Sequence, residues 1–191
     1  MNDADPRSPS DQALIRPATS QDVPSILALV RALAEYEREP QAAVGTEADF
    51  RAALFPTDAG GSPPGASPTA FAHIATVGDE VAGFALWFIT FSTWTGKPGI
   101  WLEDLFVCPE HRGLGLGQRL LATLAAECVQ RGYARLDWAV LDWNTPSIEF
   151  YRRHGAVALD EWTQYRLDGQ SLAEMARVGE PFGESSTTSA R

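Results

Sequence analysis

The chain has 191 residues, 45% of them hydrophobic, enough for one well-cored domain and too few for two of ordinary size. A formal charge of −10 opposes the counterion release that drives binding to nucleic acid or an anionic membrane, and it suits a cationic ligand better. Cys108 and Cys128 are the only cysteines and have no paired spacing, so neither a disulfide framework nor a zinc site is indicated and no metal is expected.

In chain order, the opening "MNDADPRSPSDQ" is polar and acidic, unlike a secretory signal, and residues 1–12 read as a disordered lead to a domain spanning 13–178. With no apolar run of about 18 residues, a cytoplasmic location is expected. "ALIRPA" reads as a short strand. Thr19 with Asp22 forms a capping-box pattern ahead of a helix to about Tyr36, with Val23, Ile26, Leu27, Val30 and Leu33 on one face. A second short helix is expected from Thr46 to Leu54, followed by a proline- and glycine-rich loop over 56–68. "AFAHIATV" and "VAGFALWFI", joined by "GDE", predict a β-hairpin, and "GIWLEDLFV" a third strand of the same meander. A long helix follows from Gly115 to Arg131, ended by Gly132. "ARLDWAVLDW" then reads as a strand. Thr145 and Pro146 offer a cap and a first-turn proline for a short helix stopping at Gly155. A last strand is placed at "DEWTQYRL", a helical turn or two at "GQSLAEMA", and a disordered tail over 179–191. The fold class is α/β (α+β): a mixed, mostly antiparallel sheet with helices packed on it.

"RGLGLG", Arg112 to Gly117, is the motif that carries chemistry. A P-loop is excluded because its lysine position holds Gln118, and Lys97 is the only lysine in the chain. A dinucleotide fold fits the order of elements, with Asp137 about 20 residues beyond the glycines. However, its third glycine would fall on Gln118, and "CPEHR" intervenes where that turn must be tight. The remaining device is a helix amino terminus that offers free N–H groups to a diphosphate, with glycines allowing close approach and Arg112 adding charge. NAD(P)-dependent redox chemistry and a non-catalytic coenzyme-binding domain stand as the alternatives to transfer chemistry.

These residues resemble the coenzyme A loop, R-x-x-G-x-G, of the GNAT N-acetyltransferases. "RALAEYE", "STWTGKPGIWLED", "LEDLFV" and "VLDWNTPSIEFYRRHGA" are similar to its diamine and thialysine branch, over about residues 14–176. The resemblance implies a central sheet splayed open midway to admit acetyl-coenzyme A (acetyl-CoA), a small-molecule primary amine as acceptor, and a homodimer. It implies donor contacts at Leu105, Phe106, Val107, Arg112, Gly113, Leu114, Gly115, Leu116, Gly117, Asn144 and Tyr151, with Tyr151 as the acid that protonates the departing thiolate. For Asn144 a capping role is the alternative. Tyr36, Glu37, Trp94, Glu103 and Asp104 match the amine pocket, where carboxylates and aromatic faces attract an ammonium. Deprotonating an amine of pKa about 10.4 at neutral pH costs roughly 4–5 kcal/mol, so a base is needed, and Glu103 is the candidate. Asp104 would face the other side of a regular strand, an expectation that a bulge would change.

Overall fold

The computed structural model describes residues 12–57 and 65–179; the expected lead up to residue 11, the tail from residue 180 and the centre of the proline- and glycine-rich loop lie outside them. Five strands pair in sequence order: β1 Ala13–Pro17, β2 Phe71–Val77, β3 Glu80–Ser92, β4 Lys97–Val107 and β5 Leu136–Trp138. The first four are antiparallel, and β5 runs parallel to β4. The "GDE" hairpin forms with Val77 opposite Glu80, and Gly78 takes the positive φ (60°) that so short a turn demands.

Helix α1, Val23–Tyr36, follows a 3-10 turn whose start is fixed by one carboxylate. Asp22 accepts from the backbone N–H and the hydroxyl of Thr19 and from both terminal nitrogens of Arg16 on β1, the latter at 2.7 Å each. The Arg16 hydrogen bond, helped by those from Thr19, holds the Asp22 carboxyl down at about 2. Helix α2, Glu47–Leu54, begins at a capping box between Thr46 and Asp49. Ile26 and Leu29 of α1 and Leu54 of α2 pack on Ala72, Ile74, Phe84 and Phe106, which the two-residue strand period places on one face of the sheet. Helix α3, Leu116–Arg131, touches all five strands and buries Leu116, Leu120, Leu121 and Leu124 apart from that cluster, covering the other face. Gly132 ends α3 in the left-handed region (φ 67°), with the Tyr133 N–H returning to the Cys128 carbonyl.

The chain divides into two compact units after Leu141, and everything above belongs to the first. The second contains α4, Thr145–Arg153, and α5, Gly169–Val178. Three expectations change. The strand expected over 134–143 is reduced to Leu136–Trp138. The cap of α4 is Asn144, whose Oδ1 accepts from the Ser147 N–H at 3.4 Å, while Thr145 is the first helical residue. Residues 160–167 form no strand: they are exposed and join no ladder among the described residues, and β-forming composition without a neighbouring strand makes none. No helix among the described residues is long and apolar enough to cross a membrane.

Candidate active site

The site begins with an irregularity in β4. Asp104 lies opposite Leu86 of β3 and Leu102 lies opposite Trp87, so Glu103 is the extra residue of a β-bulge. At the same point β4 parts from β5, because the parallel pairing stops at Leu102 and Trp138. Beyond it, β4 pairs among the described residues only with β3. The Cys108 N–H bonds the Ala82 carbonyl, and the antiparallel alternation then assigns Phe106 and Asp104 to the pairs bonded to β3. The N–H groups of Leu105 and Val107 therefore turn toward the opening. Phe106, between them, turns its backbone groups to β3 and its side chain into the core.

The bulge changes the relation between the two acids. Asp104 is the more enclosed, and burial, followed by the charges of Glu103 and Glu37, pushes its carboxyl up to about 7. Glu103 is exposed and accepts from Trp101 Nε1 at 2.8 Å. Glu37, directly after α1, is pushed above the ordinary carboxylate range by burial. Glu37, Glu103 and Asp104 thus form one negative cluster. In a regular strand Glu103 and Asp104 would have faced apart; the "LED" wording contains no glycine or proline to announce the extra residue.

Next to the cluster, the chain leaves β4 through a 3-10 turn, Pro109–His111, into the glycine loop. Gly113 and Gly115 take φ of 83° and 75°, and a Cβ at either would meet nothing within 4 Å. Gly115 caps α3 without a side chain to take up its first turn, so among the described residues no cap side chain competes for the leading N–H groups of the helix. A loop left open at Gly113 and Gly115 and ending in a helix amino terminus fits a diphosphate. Within it Leu116 is a core anchor, 1% exposed, that can serve a ligand only through its backbone, and Leu114 and Gly117 flank the cap and its first helical residue. Arg112 donates from Nε to the Val107 carbonyl at 3.1 Å, and its guanidinium lies 5.2 Å from the centre of the Tyr36 ring and 5.9 Å from that of Phe106. It ties the loop to the ends of β4 and α1, bringing Tyr36 and Glu37 to the same place. Trp94 stands apart, 88% exposed at the β3–β4 turn. Extended strand separates it from Glu103 by about 20 Å.

In the second unit, Asn144 is buried and held as the α4 cap. Tyr151 lies on the same helix, its ring edge-on to Phe150 with centres 5.2 Å apart. Among the described residues there is no group of three or more His, Cys, Asp or Glu placed to hold a metal ion.

Thialysine N-epsilon-acetyltransferase of Sus scrofa is 33% identical over 174 residues, covering 85% of this chain and 96% of that protein. L-ornithine N5-acetyltransferase of Arabidopsis thaliana is 31% identical over 200 residues, covering 86% and 88%. An integron cassette protein from the mobile metagenome of V. cholerae superposes with a TM-score of 0.69 at 26% identity, over 87% of this chain and 98% of that one. Residues 28–156 match the acetyltransferase (GNAT) family, and the chain, with its bulged and splayed β4 leading into the glycine loop, belongs to that family of N-acetyltransferase enzymes.

Proposed function

We propose that the protein moves an acetyl group from acetyl-CoA to a primary amine of a small cationic substrate, a diamine or polyamine or an amino acid of the thialysine, lysine or ornithine kind. The observation that carries this reading is a negative cluster beside an anion cradle on one splayed strand. Glu37, Glu103 and Asp104 receive a cation where the glycine loop holds the donor's diphosphate. The names of the similar proteins, thialysine and ornithine acetyltransferases, support an amino acid with a side-chain amine.

When bound, the donor supplies an activated thioester. The N–H groups of Leu105 and Val107, turned to the opening, hydrogen-bond its amides and carbonyl oxygen. Glu103 and Glu37 hold the incoming ammonium by charge. Asp104, in place of the Glu103 that the resemblance implies, takes its proton, because a carboxyl at about 7 is partly ionised at neutral pH and also basic enough to accept. In the same reading Tyr151 is the acid for the departing thiolate, a phenol being ordinarily protonated at neutral pH.

The test is the pH dependence of kcat/KM in Asp104→Asn and Glu103→Gln. Asp104→Asn should lower turnover about 100-fold and abolish an acid limb near pH 7, whereas Glu103→Gln should mainly raise KM for the amine. If instead Glu103→Gln removes the limb and Asp104→Asn keeps it, Glu103 is the base.

A further inference from the structure

A cleft of about 150 Å³ lies in the first unit at the carboxyl-terminal end of α3, walled by Leu54, Phe55, Phe71 and Trp87, with His73, Glu127 and Arg131 as its polar members. Gly115, which begins the same helix, is roughly 18 Å away along the axis from Glu127 at the usual helical rise, and none of the cleft residues belongs to the cradle or the acid cluster. Phe71 and Trp87 stack with ring centres 4.6 Å apart, giving a flat apolar wall.

His73 is 5% exposed. Its Nδ1 lies 3.2 Å from Trp87 Nε1. An indole nitrogen can only donate, so Nδ1 must accept, and the neutral ring then carries its proton on Nε2. Burial favours the same neutral form by holding the imidazole below its ordinary value. That Nε2–H is carried by a ring that lines the cleft, where it can donate to an occupant. Arg131 is paired with Glu127 at 2.6 Å, so the two charges offset each other and the cleft favours a neutral ligand.

We propose that this cleft is a second binding site, for a small flat apolar molecule carrying one neutral hydrogen-bond acceptor that takes the His73 Nε2–H. A cavity of this size accommodates a molecule of about benzene's dimensions with a small substituent.

The experiment titrates the full chain with benzamide, using toluene as an acceptor-free control, and follows the imidazole nitrogen and proton resonances of His73. Benzamide should shift the Nε2–H signal and bind about tenfold more tightly than toluene, the worth of one buried hydrogen bond. His73→Phe, which keeps a ring in the wall and removes the donor, should bring benzamide down to the level of toluene. Equal affinity for the two probes, an unmoved His73 signal, or undiminished benzamide binding by the variant overturns the proposal. If the variant does not fold, the two probes on the unaltered protein decide the matter. The readout is binding alone, so it is independent of any transferase assay.

Discussion

In the proposed mechanism Asp104 combines proton transfer with a cost in stability. Its carboxyl is protonated in the folded protein up to about pH 7, while in the unfolded chain it ionises in the ordinary acidic range. Between those values the folded state binds more protons than the unfolded, so this residue's contribution to stability falls as pH rises toward 7 and is flat above it. Asp104→Asn should therefore stabilise the fold by about 1–3 kcal/mol near pH 8 and leave it nearly unchanged near pH 4, read from denaturant unfolding under the two conditions. Tyr151→Phe removes one oxygen from a helix that already packs its ring on Phe150. It should reduce kcat about tenfold or more with acetyl-CoA affinity unchanged, measured by steady-state kinetics and calorimetry. The acid-rich "LED" was visible in the sequence as a site. Which of its two acids is enclosed was not, because that depends on an extra residue whose presence only the β3 register reveals.

At the level of elements, α3 and its leading loop carry the donor side of the proposed site. The loop's form follows from composition: left-handed backbone at Gly113 and Gly115 is strained for any residue with a Cβ. Gly115→Ala should cost about 1 kcal/mol in stability and weaken acetyl-CoA by about tenfold or more, because the added methyl enters space the protein leaves open. Thermal unfolding and calorimetry separate the two effects. The start of α1 was legible from Thr19 and Asp22, which act within four residues and need no tertiary partner, whereas the Thr46–Asp49 box and the Asn144 cap of α4 came from the fold. The strands were less so. The hairpin strands β2 and β3 carry their turn with them, but β5 keeps only the residues that find β4, and 160–167 keep none.

For the molecule as a whole, a net charge of −10 matters most in the approach of a cation. Raising salt from about 0.01 M to about 0.3 M shortens screening to less than about 10 Å and should raise KM for a dicationic amine several-fold with kcat little changed. A KM indifferent to ionic strength would remove charge steering from the mechanism. The Thr19–Asp22 cap, the hairpin turn and the glycine loop were readable from the residues in order, because each arises from side chains and backbone conformations a few positions apart. The family resemblance was readable in the same way. The bulge at Glu103, the parting of β4 from β5 after Leu102, the raised Asp104 carboxyl and the His73 tautomer emerge only in the assembled fold. Each of these depends on which residue another strand sets opposite, a pairing between segments far apart in the chain that no local pattern encodes.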